Sequence, residues 1–138
     1  MIQLFNYLER NKVVLVYLPL VIYWILLFTL TSLPTNSVPS VGVNDKVEHF
    51  AAYFVLSFLL YFTLIFQQKS VTLKKNAFLF TILFVILYGI LDEVHQLLIP
   101  GRSCEFLDFF ADVFGGVLGM ILMKLFVKLN KFQEQSVS

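Results

Sequence analysis

A chain of 138 residues with 59 % hydrophobic and only 14 % charged side chains is too apolar for a soluble globular domain, whose apolar share is about 45–50 % even with Gly counted. The net charge of +1 gives no basic surplus, and no nucleic-acid partner is expected. The single cysteine, Cys104, excludes an intrachain disulfide.

The chain opens on "MIQLFNYLERNK" and an apolar block over 13–33. No small-residue cleavage site follows, so this block is expected to be a retained first span rather than a removed signal peptide. Further apolar blocks occupy 47–66, 76–98 and 106–129. Each provides roughly the 20 helical residues needed to cross a hydrocarbon core about 30 Å thick. Phe and Leu are mixed without a period of two, which disfavours a lipid-facing β-barrel. Helices that satisfy their own backbone are the remaining way to span. The expected fold is all-α: one integral membrane domain over residues 1–138, with four transmembrane helices in a compact bundle. The polar tail "NKFQEQSVS" is expected to fray.

The charges are unevenly placed. If the spans alternate, Arg10, Lys12, Lys69, Lys74, Lys75, Lys124, Lys128 and Lys131, eight of the ten basic residues, fall on one side. The bias of basic residues to the inside makes that side cytoplasmic and puts both termini there. The opposite side gathers Asp45, Glu48, Asp92, Glu93, Glu105, Asp108 and Asp112, seven of the nine carboxylates, with only Lys46 and Arg102 for cations. Helical spacing groups them further. Asp45 and His49 are i, i+4; Glu93 and Gln96 are i, i+3; Glu105, Asp108 and Asp112 are i, i+3, i+7. Below Asp112, Gly115, Gly116 and Gly119 would let another helix come close. The expectation is a tight bundle that closes beneath an acidic pocket open to the outside.

Ionisable groups in spans are costly, and several together face a cavity or one another. Glu93, partly desolvated among apolar neighbours, is the candidate acid/base, with His49 as its partner. Arg102 can grip a carboxylate or phosphate with two prongs, or else pair internally with Asp108 or Glu105. Gln96, Asp45, Lys46, Asp108 and Asp112 complete the candidate binding residues. No metal or other cofactor is expected, because "DEVHQ" fits no zinc spacing and His95 lies about 200° round the helix from Glu93. Ser103 and Cys104 show no base pattern of the kind a nucleophile needs.

Taken together, "DKVEHFAAYFVLS" (45–57), "DEVHQLLIPGRS" (92–103) and "DFFADVFGGVLG" (108–119), with "TSLP" at 31–34, resemble the VanZ-like membrane proteins. One departure is Asp112, where that family more often carries Asn. The resemblance implies the cytoplasmic membrane of the bacterial cell envelope, and a link to resistance against the glycopeptide teicoplanin.

Two classes of function follow. One is an enzyme or binding site for a membrane lipid or a lipid-linked cell-wall precursor at the outer leaflet. The other is a non-enzymatic scaffold or ligand-sequestering protein. A proton-coupled carrier fits less well, because four spans without broken helices or an inverted repeat give little room for alternating access unless copies form a homo-oligomer.

Overall fold

The computed structural model describes residues 2–37 and 44–135. Helix α1 (Ile2–Arg10) leads through a π-helical turn at Val13–Tyr17 into α2 (Leu18–Thr31). A 3-10 turn (Thr35–Ser37) precedes α3 (Asp45–Phe66), followed by a short α4 (Val71–Lys75), α5 (Ala77–Gln96) and α6 (Phe106–Gln135). Four helices are long and apolar enough to cross a membrane: Val13–Thr31, Asp45–Phe66, Ala77–Gln96 and Phe106–Leu129. There is no strand among the described residues. The all-α membrane-helix bundle expected from the sequence is therefore the fold. At the C-terminus α6 continues to Gln135, through most of the tail expected to fray.

Local chemistry sets the helix ends. Pro19 has no N–H for the Leu15 carbonyl and its ring crowds that carbonyl; the wider π turn at Val13–Tyr17 accommodates it. Asn44 caps α3, its side chain accepting from Lys46 N at 2.9 Å, and Asp45 and Glu48 lie in the first turn, where the helix dipole favours negative charge. Between α5 and α6 the chain reverses at Gly101, whose φ of 78° is a left-handed conformation that favours glycine.

Each core helix buries one stripe. On α3 it holds His49, Tyr53, Leu56, Ser57 and Tyr61. On α5 the mostly small residues Ala77, Thr81, Val85 and Gly89 lead up to Asp92 and Gln96. On α6 the stripe descends from Asp108 and Asp112 through Gly115, Gly116 and Gly119 to Met120 and Met123. The three glycines do what their spacing predicts. A Cβ on Gly115 would stand 2.1 Å from the Phe50 carbonyl oxygen, and one on Gly119 would stand 2.1 Å from that of Phe54. The α3 and α6 backbones are thus in contact, which only small residues allow.

The first span is peripheral. Only 11 % of its most apolar window is buried, against 33 % for each of the other three. It is fastened by Tyr23 Oη, which donates to the Ala52 carbonyl at 3.0 Å, and by Thr63 Oγ1, which donates to the Val16 carbonyl at 3.3 Å. Trp24 packs edge-on against Phe84 and Tyr88.

Contacts also show that the helices alternate in direction. At one end the start of α3 meets the start of α6 through Lys46 and Asp108, and the turn after α5 reaches the end of α2 through Arg102 and Leu30. At the other end Glu9 meets Gln68, and Lys124 lies over the Phe78 ring. The first of these ends carries the acidic residues and the second the lysines of α4 and α6.

Candidate functional site

At the acidic end the three core helices bury six polar side chains: His49, Asp92, Glu93, Gln96, Asp108 and Asp112. Burial of this kind is unfavourable unless each group finds a partner, so the pairing reveals how the site is organised.

Lys46 Nζ lies 2.9 Å from Asp108 Oδ1 and also pairs with Glu105. Asp108 is 1 % exposed, so this lysine neutralises a carboxylate that water does not reach. The same ammonium holds the exposed Glu105 carboxyl below the usual carboxylate range. His49 Nδ1 and Asp112 Oδ1 share a hydrogen bond at 3.0 Å, and both side chains are buried. Asp92 lies between Thr31 and Gln96. Beside it the Tyr53 hydroxyl is buried and has no hydrogen-bond partner among the described residues.

Arg102 is placed differently from the internal pair the sequence allowed. Its Nη2 donates to the Leu30 carbonyl at 3.2 Å, and no carboxylate pairs with it among the described residues. Lys46 has taken Asp108 and Glu105 instead. The guanidinium lies on the wall of a cavity of about 150 Å³ shared with Asp45, Glu48, His49, Tyr53 and Asp92. Next to this polar cavity runs an apolar groove of about 450 Å³, formed by Trp24, Phe28, Leu91 and His95. Tyr88 and Asp92 belong to both.

The acid/base pair expected from the sequence is divided. Glu93 Oε2 accepts from the Glu105 backbone N–H at 2.8 Å, and it lines a separate cleft of about 390 Å³ with Cys104, Glu105, Phe106 and Phe109. His49 belongs to the central cavity, where the α5 carboxylate is Asp92. Gln96 lies beside Asp92, four residues on along α5. The Ala77, Thr81, Val85, Gly89 stripe runs on into both carboxylates, with Asp92 three and Glu93 four residues beyond Gly89, so it does not choose between them. Thr31 entered only as part of "TSLP", and Tyr88 carried no comparable sequence signal. His95 stacks on Phe28, with centroids 5.4 Å apart, in the apolar groove that Asp92 also lines.

A model of the VanZ/LLP1 family matches residues 14–127, well over half of the chain. The chain belongs to the VanZ/LLP1 family. The matched segment of this VanZ/LLP1 protein contains every polar residue of the acidic end and leaves only α1 and the two termini outside it. The family resemblance read from the three motifs is thereby shown. No curated protein and no solved structure matches this VanZ/LLP1 chain.

Proposed function

We propose that this VanZ/LLP1 protein binds, and acts on, a lipid or lipid-linked precursor of the bacterial cell envelope at the outer leaflet of the cytoplasmic membrane. The observation that carries this reading is the junction of two unlike spaces. A polar cavity with a guanidinium that pairs with no carboxylate among the described residues opens beside an apolar groove on α2 and α5. An amphipathic molecule matches that junction, with an anionic headgroup on Arg102 and an acyl or prenyl chain along Trp24 and Phe28.

In this reading both termini are cytoplasmic, because the lysines of α4 and α6 gather at the end opposite the cavity. His49, held by Asp112, is the group that moves a proton on the bound headgroup. Asp45, Lys46, Gln96 and Asp108 shape the cavity around it, and Glu93 orders the start of α6. Family membership motivates testing for a contribution to teicoplanin resistance through capture or alteration of such an envelope component.

Purified protein in mild detergent offers a direct test by native mass spectrometry. The ligands are a short polyprenyl phosphate and phosphatidylglycerol, with zwitterionic phosphatidylcholine as reference. The expected result is retention of an anionic lipid by the wild type, a loss of roughly tenfold or more in Arg102→Gln, and an intermediate value in Arg102→Lys, which keeps the charge and loses the fork. Equal binding of all three lipids by a folded wild-type protein contradicts the proposal.

A further inference from the structure

His49 of α3, Asp92 of α5 and Asp112 of α6 are all buried, and each offers a ligand atom lying within 4.8 Å of those of the other two. We propose that these three side chains bind a single divalent transition-metal ion, with Zn²⁺ and Mn²⁺ the fitting ions. The inference does not depend on lipid binding at Arg102, and it gives His49 a ligand role in place of the proton-moving role above.

Three observations support it. The first is charge. Asp92 and Asp112 are 5 % and 0 % exposed, and Lys46 is committed to Asp108 and Glu105. Among the described residues Asp92 has no ion pair, and Asp112 has only His49, which neutralises it only when the imidazole is protonated. Buried carboxylates without a cation are expensive, and coordination of a metal is one of the two usual remedies.

The second is unused bonding capacity directed at the cluster. Among the described residues, Asp112 Oδ2 has no hydrogen-bond partner. The Tyr53 hydroxyl, on a residue 2 % exposed, has none either. It lines the cavity with His49 and Asp92 and lies near enough to both Asp112 and Asp92 to sense their charges. A metal-bound water is the kind of group it could hold.

The third is geometry. Donor atoms adjacent on an ion and about 2.1 Å from it sit roughly 3.0–3.4 Å apart. The His49 Nδ1 to Asp112 Oδ1 separation is 3.0 Å. An ion can take the place of the proton between them; that proton passes to Nε2 of a neutral ring, or one proton leaves to solvent from a charged ring. Thr31 and Gln96 lie beside Asp92, where outer partners of a metal-ligating carboxylate sit. One nitrogen and two carboxylate donors suit Zn²⁺ or Mn²⁺ better than a soft ion. A second group, Asp45, His49 and Asp108, is the poorer choice, since Asp45 is exposed and Asp108 is already neutralised by Lys46.

The experiment uses the full chain in detergent, stripped with chelator and reloaded with Zn²⁺ or Mn²⁺. The expected results are one ion per chain by elemental analysis and a loss of Zn²⁺ affinity in Asp92→Asn and Asp112→Asn at or beyond the roughly 10–100-fold that outer partners alone cost. Mn²⁺ loaded into wild-type protein carrying ¹⁵N-histidine is expected to show a directly coordinated nitrogen by electron-nuclear double resonance. That last measurement needs no variant, so it decides the matter even if the substitutions impair folding. Absence of a stoichiometric ion, or of nitrogen coupling, overturns the proposal. So does undiminished affinity in both variants, or loss on Asp45→Asn with retention on Asp92→Asn.

Discussion

Gly119→Ala is expected to destabilise the bundle by about 3 kcal/mol or more, the upper range for forcing atoms into a packed interior. The added methyl would meet the Phe54 carbonyl oxygen at 2.1 Å and Ser57 Oγ at 2.5 Å. Backbone cannot rotate aside as a side chain can, so α3 and α6 must separate. That loosens the closest helix pair in the molecule and disturbs the His49–Asp112 bond that spans it. Gly115→Ala, against the Phe50 carbonyl, should behave alike. The other two glycines of the bundle calibrate the result. At Gly116 the obstacle is the Val85 side chain, with Cγ1 at 2.6 Å, and a cost of about 1–2 kcal/mol is expected. At Gly89 the nearest atoms are 3.3 Å and 3.4 Å away, and Ala should be near neutral. Unfolding in detergent titrated with a denaturing detergent gives the series, and equal costs at all four positions contradict the packing described.

Lys46→Met is expected to cost about 2–3 kcal/mol. Removing one partner of a buried ion pair costs roughly 3–5 kcal/mol, and the 32 % exposure of the Lys46 side chain lowers that figure. The larger part of the loss comes from Asp108, left as an uncompensated carboxylate at 1 % exposure. A double-mutant cycle separates the two acids that share the lysine. Adding Asp108→Asn to Lys46→Met should restore at least half of the stability. Adding Glu105→Gln should restore almost none, because exposed ion pairs contribute only about 0–1 kcal/mol. Rescue by Glu105→Gln in place of Asp108→Asn is the opposite outcome, and it would assign the lysine to the surface.

These two results rest on features of unequal legibility in the sequence. The four spans follow from apolar length, and the glycine face of α6 follows from the spacing of Gly115 and Gly119, because helix geometry is local. The meeting of acid-rich ends at one level follows from alternation of the spans. How the polar groups are paired is not local. Lys46 and Asp108, or His49 and Asp112, are far apart along the chain, and only the rotation of each helix about its axis decides which carboxylate a cation reaches. That rotation is set by packing, which turned Asp92 into the central cavity and directed Glu93 to the backbone at the start of α6. Spacing alone could not choose between these adjacent carboxylates, since both lie within one helical turn of Gln96. The metal-ligand trio was invisible for the same reason: its donors come one from each of three helices and form no local motif.

The central claim is that the acidic end handles an anionic lipid or lipid-linked envelope molecule, and the most direct measurement is mass spectrometry of those molecules in cells. Profiles would be compared between cells lacking the protein and cells expressing the wild type, Glu93→Gln or Arg102→Gln at matched levels. The account predicts a lipid or lipid-linked wall precursor whose abundance changes with the wild type and not with Arg102→Gln, and it places Glu93→Gln between them, since that residue orders α6 beside the cavity. Identical profiles in all four, with each protein folded and in the membrane, would contradict it and favour a scaffold that leaves envelope lipids untouched.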